Sequence, residues 1–273
     1  MIFRGTGPGS DSASAAIRET ACRRSVPHHG NFPIFNDLMN RILLLALIAV
    51  CYSIPVCAKD TVILLHGLLR DSRSMEKMSA SLVDAGYEVT NVDYPSHSAS
   101  VEELSETILG ATLARLDNKD SAAKIHFVTH SLGGILVRQY LSRHQVPQLG
   151  RVVMLAPPNQ GSEVVDKLGD LKAFEWINGP SGKELGTSPE SVPNKLGPVH
   201  FELGVIAGDR SINGINSRMI PGPDDGKVSV ERTKVQGMKE HITLHATHPY
   251  IMKNREAIGQ TVFFLGNGTF QHR

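Results

Sequence analysis

The chain has 273 residues, 41% hydrophobic and 20% charged, an ordinary globular composition able to bury one large core. A net charge of +1 gives no electrostatic drive toward nucleic acid or an anionic membrane surface, and no nucleic-acid partner is expected. The twelve histidines are scattered, no Cys/His spacing of zinc type occurs, and no period-length repeat is visible, so no metal site is expected.

In chain order, residues 39–58 come first, MNRILLLALIAVCYSIPVCA. Met39, one positive charge at Arg41, an apolar run over 42–50, a break at Pro55 and small residues at Val56 and Ala58 have the anatomy of a secretory signal peptide. The run is short for a membrane span. Cleavage near Ala58 and export to a periplasmic or extracellular space are expected. Residues 1–38 are rich in Gly, Ser, Pro and Arg without periodicity, and read as an upstream extension ahead of a start at Met39. Cys22, Cys51 and Cys57 all precede the expected cut, so residues 59–273 carry no thiol.

Beyond the cut, β-branched runs alternate with segments at helical spacing, the pattern of an α/β domain with a mostly parallel sheet and helices on both faces. Residues 61–67 (TVILLHG) read as a buried strand, 72–86 as a helix closed by Gly86, and 87–95 as a strand stopped by Pro95. Residues 100–116 read as a helix with Ser100 as N-cap and Glu103 completing a capping box. A third strand over 124–130 leads into a helix over 132–144, and a fourth strand covers 151–158. Residues 159–200 then lose the pattern and read as a lid-like insertion with an apolar patch at Leu171, Phe174, Trp176 and Ile177. The sheet resumes at 201–209, and a Gly/Pro/Asp-rich loop over 210–227 follows. A short strand-like KVSVER, a last strand over 241–247 and a helix near 249–265 close a single domain, 59–273.

The abrupt change from strand to helix at FVTHSLGG places Ser131 where open α/β sheets hold their sites. A serine there stands above the sheet, and the following helix N-terminus turns backbone N–H groups toward a developing anion. Close packing of strand, elbow and helix asks for small residues two positions either side. Gly133 meets this, whereas Thr129 is bulkier than the pattern prefers, giving T-x-S-x-G.

The segments VILLHGLL, FVTHSLGGILVRQYL, LAPPNQGSEV and DDGKVSV, with a later histidine, occur in the order and spacing of α/β-hydrolases. Across most of residues 61–265 the chain resembles their lipase/esterase branch, and is similar to small bacterial triacylglycerol lipases and PGAP1-like proteins. The resemblance implies a serine hydrolase of carboxylic esters with Ser131 as nucleophile and no cofactor. It implies an oxyanion hole from the backbone N–H groups of Leu68 and Leu132, with His66, His130 and His97 as scaffold. The base then follows the last strand, where His248 is favoured over His245, placed inside that strand. The acid is Asp225 of the D-G-x-V stretch, with Asp209 and Asp224 as rivals. Leu69, Phe174 and Trp176 are expected in the substrate pocket. A small-molecule or lipid ester is the expected partner, with a lipid or peripheral membrane contact alongside. The alternatives are an acyl- or lipid-remodelling transferase on the same triad and a non-catalytic lipid-binding module.

Overall fold

Aliphatic runs with no polar face can be extended only where both sides are covered, and this dictates the architecture. The computed structural model describes residues 59–116 and 123–272, together with Arg41. The chain divides into two units at Val56/Cys57, and apart from Arg41 every described residue belongs to the second. The extension 1–38 and, Arg41 aside, the export segment 39–58 lie outside the described residues. Among the described residues no helix is long and apolar enough to cross a membrane.

Six strands form one parallel sheet: β1 (Thr61–Leu65), β2 (Glu88–Val92), β3 (Ile125–His130), β4 (Leu149–Leu155), β5 (Leu203–Gly208) and β6 (Glu240–Leu244). Their order is β2-β1-β3-β4-β5-β6, every neighbour parallel. β1, β3 and β5 are buried at every position, while the edge strands β2 and β6 are largely half-exposed. Alternate residues of the central strands feed two cores. On one face Val62, Leu64, Val128, Val153 and Ile206 pack with Met78, Leu82, Ile258 and Phe264. On the other, Ile63, Leu65, Phe127, Val152 and Met154 pack with Leu104, Leu109, Ile135 and Leu136. Each such side chain contributes about 1.5–3 kcal/mol on removal from water.

The helices divide accordingly. Asp71 caps a 3₁₀ turn at Ser72–Met75 that runs into α1 (Glu76–Asp84). Ser100 caps α2 (Val101–Leu104), which passes through a π-helical turn at Ser105–Leu109 into α3 (Gly110–Leu116). The Ser100 hydroxyl accepts from the Glu103 N–H at 3.1 Å, and the adjacent Val101 N–H is taken by Glu184 at 2.7 Å. α4 (Leu132–Leu141) follows β3. The insertion carries α5 (Glu163–Leu168), α6 (Lys172–Lys183) and α7 (Val192–Lys195), and α8 (Gly214–Ser217) lies in the loop after β5. α9 (Arg255–Asn267) is capped by Asn254 and stopped by left-handed Gly268.

Two expectations are corrected. KVSVER forms no ladder strand: only Asp224 and Ser229 make an isolated bridge, and a 3₁₀ turn follows at Glu231–Thr233. The Asp225 side chain competes for this backbone, accepting the N–H groups of Lys227 and Val228 at 3.0 and 2.9 Å. The last strand ends at Leu244, so His245 lies beyond it rather than within it.

Candidate active site

The sheet order reverses beside β1, and the carboxyl ends of β1 and β3 meet there, the crevice in which open α/β sheets bind ligands. Ser131 sits on the turn between β3 and α4 with φ 51° and ψ −119°, left-handed values that a side chain rarely adopts. Its N–H donates to Leu155 O at 2.9 Å, and its carbonyl accepts from Gly134 N–H at 3.0 Å. Gly133 is required by crowding, since a Cβ there would lie 2.8 Å from Leu65 O and 2.9 Å from His66 O. Thr129 is tolerated because residue 134 is also glycine; a Cβ there would stand 3.2 Å from Thr129 Oγ1. Gly67 lets the β1 loop reach the elbow, for its Cβ would fall 2.7 Å from His130 Nδ1.

Three elements converge on the hydroxyl. Ser131 Oγ lies 3.0 Å from His248 Nε2, and His248 Nδ1 lies 2.7 Å from Asp225 Oδ2. Asp225 is fully buried and His248 is 8% exposed. The N–H of His248 donates to the Asp225 carbonyl at 2.9 Å, tying the β5 and β6 loops together. The second Asp225 oxygen holds the Lys227 and Val228 N–H groups. A carboxylate so fixed sets the tautomer of the imidazole, leaving Nε2 to accept from the serine.

The rival residues are engaged elsewhere. Asp209 and His245, the alternative acid and base, lie 3.0 Å apart, and the His245 side chain is 74% exposed, not packed as expected from sequence. Asp224 Oδ1 accepts from Ser217 Oγ at 2.8 Å and Gly226 N–H at 2.7 Å. His66 is buried, stacked on Tyr94 at 4.1 Å, its Nδ1–H donating to Gly67 O at 2.9 Å while Nε2 accepts from Tyr94 N–H at 3.3 Å. Burial lowers its pKa, in keeping with a neutral structural ring. His97 is exposed.

His130, expected as scaffold, makes one specific contact that the sequence did not point to. Its Nε2–H donates to the His248 carbonyl at 3.0 Å, and the two rings lie 4.9 Å apart. Burial, reinforced by His248, lowers its pKa well below the ordinary histidine value, so it braces His248 without adding charge. Only its position next to Ser131 hinted at this.

Leu132 opens α4, where the first N–H groups have no helical acceptor. Among the described residues no acceptor takes the N–H of Leu132 or of Leu68. The Leu69 N–H, by contrast, donates to Ser96 Oγ at 3.0 Å. A cavity of about 250 Å³ opens over Ser131 and His248, lined by Leu68, Leu69 and Phe174 among others. Trp176, expected in its wall, is instead 86% exposed and turned to solvent. Phe174 and Asn178 of α6 face the cavity, and Trp176 lies between them on another side of the helix.

Sheet order, elbow and converging loops define an α/β-hydrolase arrangement. The chain belongs to this group: residues 62–215 match the alpha/beta hydrolase family. No curated protein matches the sequence. Among solved structures, the mature Bacillus licheniformis lipase BlEst2 is similar at TM-score 0.62 and 19% identity, over 80% of this chain and 95% of that one. The Legionella pneumophila phospholipase PlaB is similar at TM-score 0.56 and 18% identity, over 77% of this chain and 64% of that one. A metagenomic carboxyl esterase, MGS0156, gives TM-score 0.56 at 16% identity, over 71% and 66% of the two chains. At these identities the likeness is one of fold.

Proposed function

We propose that the chain is a serine hydrolase of carboxylic esters working through an acyl-enzyme. The observation that carries this reading is the buried line Asp225–His248–Ser131, with contacts of 2.7 and 3.0 Å. Ser131 Oγ attacks the ester carbonyl while its proton passes to His248 Nε2. The tetrahedral oxyanion sits between the Leu68 and Leu132 N–H groups, where one donor is worth about 10²–10³ in rate. The carbon–oxygen bond to the alcohol breaks as His248 returns the proton to the leaving oxygen. Water then repeats the relay, releasing the acid and restoring Ser131. Asp225 steadies the transient imidazolium.

A lipid ester suits the surroundings. Val164, Val165, Phe174 and Leu185 give the cavity an apolar wall. Leu69, Trp176, Ile177, Ile212 and Ile215 are exposed on the loops and short helices that also supply its lining. The proposal extends to export through residues 39–58, so protein from the native host should begin at Lys59; a chain beginning at Met1 would contradict that. The catalytic reading is tested by hydrolysis of 4-nitrophenyl esters. An initial burst of nitrophenolate, absent in Ser131→Ala and His248→Ala, is expected; equal turnover in Ser131→Ala would refute the reading.

A further inference from the structure

The ionisable lining of the Ser131 cavity is Arg70, His130, Asp225, Lys227 and His248. Three of these are already committed. Asp225 gives one oxygen to His248 and the other to two backbone N–H groups. His248 is held by Asp225 and Ser131. His130, bound to the His248 carbonyl, is kept neutral by burial. Arg70 and Lys227 remain, both exposed and both cationic.

Neither cation makes an ion pair among the described residues. The carboxylates near them in sequence are occupied: Asp71 by Arg73 at 2.5 Å, Asp209 by His245, and Asp224 by Ser217 and Gly226. Backbone contacts hold both positions independently of their side chains. The Arg70 N–H donates to Gly67 O at 3.2 Å, and the Lys227 carbonyl accepts from Ser162 Oγ at 2.7 Å. Although Lys227 is exposed as a residue, protein near its ammonium withholds enough water to lower its pKa, with Asp225 opposing and the Arg70 charge reinforcing the shift. Two like charges at one cavity, whose single carboxylate, Asp225, is taken up by His248 and two backbone N–H groups, leave an unfilled demand for an anion. The apolar wall of Val164, Val165, Phe174 and Leu185 belongs to the same cavity.

We propose that Arg70 and Lys227 recognise a carboxylate or phosphate on the ester, so that the site selects amphiphilic anionic esters over neutral ones. The proposal rests on the reading of this cavity as an ester-hydrolase site. Guanidinium and ammonium groups suit both anions, the first as a planar fork and the second as a point charge. A charge on the acyl part and a charge on the alcohol part are told apart by the choice of substrate.

Two matched pairs test it: 4-nitrophenyl pentanoate against the mono-4-nitrophenyl ester of glutaric acid, and a monoacylglycerol against its 3-phosphate. The wild-type protein should favour the anionic member of one pair in kcat/KM, and that pair locates the charge. The anionic-to-neutral ratio should fall about tenfold in Arg70→Gln or Lys227→Gln and about 100-fold in the double variant. Lys195→Gln, paired with Glu190 away from the cavity, should leave the ratio unchanged. No preference in either pair, or a ratio unaltered by the double variant, overturns the proposal. Binding to Ser131→Ala separates this from the catalytic reading. Octyl phosphate should bind more tightly than octanol in calorimetry, and the Arg70/Lys227 double variant should abolish the difference. That result, together with a wild-type protein that cleaves no ester, keeps the anion site and discards the hydrolase. Equal binding of the two ligands discards the anion site.

Discussion

Ser131 holds φ 51° on an elbow packed so closely against the β1 loop that neither Gly133 nor Gly67 has room for a side chain. A non-glycine residue held in such a region costs about 1–3 kcal/mol, so the strain falls on the residue proposed as nucleophile. Ser131→Gly should therefore raise the urea midpoint above that of Ser131→Ala while both lose turnover; an equal or lower midpoint for the glycine variant would remove the strain argument. The pairing of Asp225 with His248 is equally specific to position. Asp225→Asn should lower kcat/KM by about 10⁴, since the amide no longer fixes the imidazole tautomer. Asp209→Asn, acting on exposed His245, should change it little. Kinetics on folded variants decide between the two, and greater damage at Asp209 would move the acid. Ser131 was legible because one hydroxyl ended an apolar run with glycines behind it. Arg70 and Lys227 were not, because a lone cation in a loop has no pattern that separates a solvated surface from a cavity mouth.

At the scale of elements, the insertion shows where pattern reading fails. Residues 172–183 form α6, but Gly179 with φ 65° and Pro180 break its helical geometry, which hid the periodicity in the sequence. The segment is tied down at several points. Ser181 Oγ donates to Ser96 O at 2.6 Å, Glu163 pairs with Arg232, and Arg138 of α4 donates to Pro193 O at 3.0 Å and Gly197 O at 2.7 Å. Arg138 is buried and has carbonyl rather than carboxylate partners, and burial lowers its pKa to about 10. These straps leave the first turns of α6 standing out, with Leu171, Trp176 and Ile177 exposed. If that rim meets lipid, the emission of Trp176, the sole tryptophan, should shift to the blue on adding phospholipid vesicles. An unchanged spectrum at saturating lipid would argue that the rim stays in water. KVSVER misled for a different reason: its alternation suits a strand, but the preceding aspartate takes its N–H groups before a ladder can.

For the whole molecule, the sheet was legible because parallel strands covered on both faces must be written as nearly unbroken apolar runs. The site followed, since every parallel strand delivers its loop to the same edge and the serine, aspartate and histidine loops all leave from there. The same burial has a cost in acid. His66, His126 and His130 are almost wholly buried, and desolvation lowers each pKa from the ordinary value of 6.5. The unfolded chain thus takes up protons that the native state refuses, and stability falls as pH drops below about 6.5, by up to about 1.4 kcal/mol per pH unit for each such group. Urea midpoints should decline from pH 7.5 to 5.5, less steeply in His126→Gln; a flat profile would contradict the neutral buried histidines. The chemistry itself is tested most directly by stoichiometric labelling with a fluorophosphonate, which reacts far faster with a serine activated by a base than with an ordinary hydroxyl. One mole of probe per mole of wild-type protein should attach, peptide mass mapping should locate it on Ser131, and labelling should vanish in Ser131→Ala and His248→Ala. Folded wild-type protein that remains unlabelled, or a label on any other residue, would contradict Ser131 as the nucleophile.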